Sequence, residues 1–178
     1  MEAIKSMNHK KAPGPDHLTS DICQHFIETY PTQVTNLFNR CMHLSHFPTS
    51  WKTAFIKTIP KPNKQDYNDI SSYRPIGLIN VFGKLLEKLI AKRLSYYMYI
   101  NNTANDRQYG FKEQKTTTDA LRDAINHMKQ AKAQNKLVAA ISLDIEGAFN
   151  HAWWPALLYR LKKTKMPKKP VQNYSKLY

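Results

Sequence analysis

Cysteine is nearly absent from this chain: Cys23 and Cys41 are the only two among 178 residues. Both fall on apolar helical faces and neither has metal-ligand spacing. That excludes a disulfide-knit scaffold and points to buried thiols in a reducing compartment. Glycine is scarce too, at 5 residues, and repeats and low-complexity tracts are missing. With 42% of residues hydrophobic, wholesale disorder is excluded and the length suffices for one domain with its own core. No run is long and apolar enough to span a membrane. Residues 1–11 lack the apolar core of a signal peptide. A cytoplasmic or nuclear protein is the expectation.

The most telling shortage is of acidic residues. Asp and Glu total 13 against 27 Lys and Arg, a formal charge of +14. Such an excess repels itself unless a polyanion offsets it. Nucleic acid is the usual polyanion, through phosphate contacts and counterion release. The competing reading is a soluble basic protein whose lysines are merely solvated.

What is present falls into a clear order. Residues 10–18, KKAPGPDHL, form a proline-stiffened turn. Thr19 or Ser20 can cap a helix with Ile22, Phe26 and Ile27 on one face. Pro31 opens a second helix, in which Val34, Leu37, Phe38, Cys41 and Met42 make an amphipathic stripe that Pro48 ends. Residues 51–60, WKTAFIKTIP, predict a strand. Residues 61–72 are polar and predict a loop. Residues 73–79, YRPIGLI, look extended, although Pro75 argues against a central strand. Asn80 can cap a long helix buried along Phe82, Leu85, Leu86, Leu89, Ile90 and Leu94. A polar connection with RQYGF follows, and Thr117 or Thr118 caps a helix with Leu121, Ala124, Ile125 and Met128 on one face. Residues 137–143, LVAAISL, read as a strand buried on both faces. A last helix turns Trp153, Leu157, Leu158 and Leu161 inward. Residues 160–169 carry six basic residues, and the end from 166 on is expected to fray.

Asp144 ends the apolar run of residues 137–143, where a strand-to-helix turn commonly exposes a metal-binding carboxylate. Glu146 would share its face on an extended chain. The plainer alternative is a carboxylate that simply ends the strand.

The segment LDIEGAFNHAWW, from Leu143, resembles the first palm motif of reverse transcriptases. Upstream, KAPGPDHL resembles the turn before the fingers in retrotransposons without long terminal repeats. WKTAFIKTIPKP resembles their first fingers motif, SYRPIGLINVFGKLLEKLIAKRL the second, and QYGFKEQKTTTDAL the segment leading to the palm. The WW pair is most similar to arthropod-type elements. The resemblance implies an α+β, helix-rich fold: the fingers and partial palm of a truncated right-hand polymerase. Residues of about 1–136 would be fingers and connection, 137–165 the start of the palm, and 166–178 a frayed end.

By that resemblance Asp144 would be the first catalytic aspartate, bridging two Mg²⁺ ions, with the Ile145 carbonyl completing one shell. Phe149 would be the steric gate against a ribonucleotide, where the alternative is a core aromatic. Lys61 and Arg74 would hold the dNTP triphosphate, with Arg adding bidentate geometry; the alternative is a pair of ordinary loop cations. Gln108, Tyr109, Gly110, Phe111 and Lys112 would lie near the template, or form a surface turn. The implied partners are an RNA template, a DNA primer and dNTPs, with no membrane. Two departures stand out. Asn150 replaces the family's usual Asp, and the glycine- and proline-containing second palm motif and the turn carrying paired aspartates are both missing. An isolated chain without polymerase activity is therefore expected; the alternative is a non-catalytic nucleic-acid-binding remnant.

Overall fold

Residues 34–42 carry apolar side chains at helical spacing, and they form a helix buried on that stripe. The computed structural model describes residues 12–103, 105–145, 147–148, 151–164, 166, 172 and 175. Helix α1 spans Ser20–Thr29, and α2, Pro31–His43, starts on Pro31 at its first turn. After a 3₁₀ turn at Thr49–Trp51 come strand β1, Ala54–Pro60, and β2, Tyr73–Ile79, followed by α3, Val81–Ile100. Helix α4 covers Thr117–Ala133 and α5 covers Trp154–Lys163. None of the described helices is long and apolar enough to cross a membrane. The chain divides into two compact units, Met1–Tyr97 with Leu161–Tyr178, and Met98–Arg160.

The core of the first unit is helical. Val34, Phe38, Cys41 and Met42 of α2 are buried, as are Val81, Leu85, Leu86, Ile90 and Leu94 of α3. Trp51 stacks on Phe82 at 5.9 Å, and Phe38 approaches both rings at 6.0 Å. Each such pair contributes about 0.5–1.5 kcal/mol beyond its buried area. Helix α1 departs from expectation: Ser20, Cys23 and Ile27 face inward, while Ile22 and Phe26 are exposed. Phe26 still meets Phe82 edge-on at 6.2 Å. Leu37 of the α2 stripe is also exposed. Both cysteines are buried thiols. Burial, then the nearby Asp16 carboxylate, pushes the Cys23 thiol up to about 11.

The sheet is one antiparallel pair, with register from Ala54↔Ile79 to Pro60↔Tyr73. Pro75 sits opposite Thr58 and is tolerated because β2 is an edge strand. The proline turn docks at the end of β2. Gly14 is buried, and a Cβ there would lie 2.5 Å from the Asn80 backbone nitrogen. Asn80 opens α3 through its backbone carbonyl, which accepts from the Lys84 N–H at 3.0 Å. Its side-chain amide does not cap; it donates to the Ser50 carbonyl at 3.2 Å.

In the second unit, Thr116, not Thr117 or Thr118, caps α4. Its hydroxyl accepts from the Asp119 N–H at 3.1 Å while Asp119 accepts from the Thr116 N–H at 3.0 Å. Asp119 at the third helical position selects this threonine among three. The face carrying Leu121, Ile125 and Met128 is exposed, so the amphipathic pattern forms the helix without covering it.

Residues 137–143 are not a strand, and Leu137, Ile141 and Leu143 lie open to solvent. A strand exists only as part of a ladder, and among the described residues the sole sheet is β1–β2. Trp153 is likewise exposed rather than inward, as is Leu157, while Leu158 and Leu161 are half-buried.

Candidate nucleotide and nucleic-acid interface

β1 ends in a proline, and the chain beyond it stays in register. The Lys61 N–H donates to the Ser72 carbonyl at 2.8 Å, one step past the Pro60↔Tyr73 pair. Arg74 lies opposite Ile59. Side chains of paired residues share a face, and alternate residues return to it. Lys61 and Arg74 therefore occupy diagonal positions on the same face of the hairpin, joined there by Lys57.

The polar loop between the strands is a set of side-chain turns that hold this end. Asp69 accepts from the Ser71 N–H at 2.9 Å and from the Ser71 hydroxyl. These two bonds, helped by Lys64 and Lys61, hold the Asp69 carboxyl below its ordinary value. Asp66 accepts from the Asn68 N–H at 2.8 Å, and its backbone carbonyl accepts from the Ser72 hydroxyl. Tyr67 donates to the Lys61 carbonyl and Tyr73 to the Tyr67 carbonyl, each at 3.0 Å. The Lys61 ammonium donates to the Ser71 carbonyl at 2.7 Å. An ammonium has three donors, so two remain for a phosphate.

In the second unit the RQYGF turn is tied to α4. The Tyr109 hydroxyl donates to Asp123, and desolvation followed by that bond raises its pKa. Arg107 reaches the same carboxylate at 3.8 Å. The Lys115 ammonium stands 4.8 Å from the centre of the Tyr109 ring and donates to the Asp106 carbonyl at 3.2 Å. Gln108 donates to the Gly110 carbonyl at 3.0 Å. Phe111 is different: it sits in left-handed backbone at φ 58° and is 100% exposed. Lys112 is half-buried. The sequence marks the QYGFK stretch with Arg107 and Lys115 as a basic aromatic turn but not Asp123, whose role shows only once the turn folds back on the helix.

Asp144 and Ile145 are exposed, and one Asp144 carboxylate oxygen accepts from the Ile145 N–H at 2.9 Å. Mg²⁺ takes oxygen ligands and commonly one or two carboxylates beside water and phosphate. Asp144 and the Ile145 carbonyl suit it as individual donors. Among the described residues no three His, Cys, Asp or Glu side chains gather as a metal cluster. Phe149, Glu146 and Asn150 lie outside the described residues.

A basic chain with cations aligned on a sheet face and aromatics in a lysine-bearing turn has the make-up of a protein that handles nucleotides or nucleic acid. Residues 59–177 match the family described as reverse transcriptase (RNA-dependent DNA polymerase). The chain belongs to the reverse transcriptase family, and its helix-rich fold with a small sheet is a polymerase-like one.

Its relatives are retrotransposon proteins. A probable RNA-directed DNA polymerase from transposon BS of Drosophila melanogaster is 32% identical over 167 residues, 92% of this chain and 18% of the relative. The RNA-directed DNA polymerase from mobile element jockey of Drosophila funebris is 32% identical over 166 residues, 93% of this chain and 18% of the relative. A retrovirus-related Pol polyprotein from type-1 retrotransposable element R1 of Bradysia coprophila is 28% identical over 164 residues, 92% of this chain and 16% of the relative. The chain spans less than a fifth of the length of each.

Proposed function

We propose that this chain is a segment of a retrotransposon RNA-directed DNA polymerase, acting with an RNA template, a DNA primer and dNTPs. In this reading residues 1–136 are the fingers and connection of a right-hand polymerase, 137–165 begin the palm, and 166–178 follow it. Lys61 and Arg74 bind the triphosphate of the incoming dNTP. Asp144 and the Ile145 carbonyl are ligands for Mg²⁺, two ions in the intact polymerase. When bound, the metal activates the primer 3′-hydroxyl and offsets charge on the leaving pyrophosphate. Phe149 screens the sugar, and residues 108–112 lie along the template. Asp66 and Asp69 are committed to loop turns and supply no second metal carboxylate, so the chain by itself binds substrates without joining them.

The observation that carries the reading is the shared face of Lys61 and Arg74, fixed by the register of β1 and β2. A triphosphate needs several charges neutralised at once, and guanidinium adds a planar fork to the ammonium's point charge. The alternative, a chain that binds nucleic acid without any nucleotide site, shares the charge and lacks this function.

Titration with a fluorescent dATP analogue separates the two. The triphosphate is expected to bind far more tightly than the nucleoside, with Arg74→Ala weakening it about tenfold or more and Arg74→Lys falling between. Equal affinity for nucleoside and triphosphate, or an unchanged Arg74→Ala, would contradict the nucleotide site.

A further inference from the structure

Helix α1 is apolar on its outer side as well as its inner one. Ser20, Cys23 and Ile27 are buried in the core, yet Ile22, Phe26 and Tyr30 keep 54%, 47% and 46% of their surface exposed. The three recur every fourth residue, and positions four apart are neighbours on a helix face. Tyr30 closes the helix, and its ring meets that of Phe26 at 5.2 Å, tilted 48°. Phe26 is braced edge-on by Phe82 at 6.2 Å, so the ring is held in place while its outer side stays open. Apolar residues scattered singly over a surface are ordinary. A contiguous exposed run with two aromatic rings marks a docking face.

The charge around this run is opposite to that of the molecule. Residues 12–39 contain no Lys or Arg and three acids, Asp16, Asp21 and Glu28, in a chain of formal charge +14. Asp21 and Glu28 are both exposed on α1. At 3.6 residues per turn, seven residues bring Glu28 back to within about 20° of Asp21 around the axis, and at 1.5 Å per residue about 10.5 Å along it. The two carboxylates therefore border the same side of the Ile22–Phe26 line, two turns apart. Gln24 donates to one Glu28 oxygen at 2.9 Å and holds that carboxylate along the helix.

A nucleic-acid strand would find no Lys or Arg of this segment to neutralise its phosphates and would meet carboxylates instead. The complement of an apolar ridge with an acidic border is an apolar ridge with a basic border, and a helix supplies both on one side. We propose that the outer face of α1 is a docking surface for a basic amphipathic helix of a partner protein. The partner's apolar residues lie along Ile22, Phe26 and Tyr30. Lys or Arg side chains two turns apart on its edge meet Asp21 and Glu28. The surface uses no residue of the β1–β2 hairpin, and stands whether or not Lys61 and Arg74 hold a triphosphate.

The test is fluorescence anisotropy with the whole chain and a labelled synthetic peptide of about 20 residues, Leu and Lys in a helical repeat. A second peptide carries Glu in place of every Lys. The Leu–Lys peptide is expected to bind although both molecules are basic, and Phe26→Ser to weaken it about tenfold or more. Phe26 also touches Phe82, so Ile22→Ser is the second variant, expected to show a similar loss with an unchanged urea midpoint. Glu28→Lys, which sets like charges together, should weaken the peptide about fivefold or more, with Glu28→Gln falling between. Amide shifts on adding the peptide should concentrate on α1. Full affinity in both Ile22→Ser and Phe26→Ser, or shifts confined to residues outside α1, would overturn the site. Tighter binding of the Leu–Glu peptide at these residues would overturn the basic partner. A dimer that forms without peptide and is abolished by Ile22→Ser would make the occupant a second copy, and would overturn the proposal as well.

Discussion

Single positions hold the ends of the hairpin. At Gly14 the backbone of the proline turn meets that of Ile79 and Asn80, and an added Cβ would lie 2.5 Å from the Asn80 nitrogen and side-chain oxygen. Backbone cannot swing aside as a side chain can, so the turn must move. Gly14→Ala is expected to destabilise the protein by about 1–3 kcal/mol, seen as a lower urea midpoint; an unchanged midpoint would contradict the close approach. The sequence marked this stretch as a rigid turn, since two prolines around a glycine permit little else. It could not show what the turn packs on, because that contact joins residues far apart in the chain. The same holds for Tyr109 and Phe111. Both are aromatics in a basic turn, and only the fold shows Tyr109 bound to Asp123 while Phe111 is open.

Elements were legible where the local pattern alone decides them. The stripe of α2 and the long apolar face of α3 are helical by spacing, and the β-branched residues of β1 select a strand. The run at residues 137–143 has a strand's composition but is not one, because continuous hydrophobicity makes a strand only when a partner strand lies beside it. The cap of α4 falls one or two residues before the expected Thr117 or Thr118 because Thr116, Thr117 and Thr118 are chemically equal until Asp119 chooses among them. That capping box can be tested. The Thr116 hydroxyl and N–H, with lesser help from Arg122 and Lys115, hold the Asp119 carboxyl below its ordinary value. A carboxyl lowered in the folded state adds stability above its unfolded pKa, near 4, and loses it as pH falls through the folded pKa. Thr116→Ala is expected to cost about 0.5–2 kcal/mol of stability at neutral pH, and less in acid. Denaturation midpoints read at both pH values check this, and an equal loss at each would contradict the box.

At the scale of the molecule, charge was the most legible property and geometry the least. The excess of 27 basic over 13 acidic residues pointed to a polyanion, and the ordered motifs pointed to the family that residues 59–177 match. Alternation along the chain sets Lys57 and Lys61 on one face, but adding Arg74 to that face needed the register, because parity on one strand says nothing of its partner. The most direct measurement of the central claim is the affinity of the 178-residue chain for an RNA–DNA primer–template across a salt series. Binding that weakens about tenfold or more between about 50 and about 200 mM salt is the expected result. Absence of binding at low salt, or affinity indifferent to salt, would contradict it.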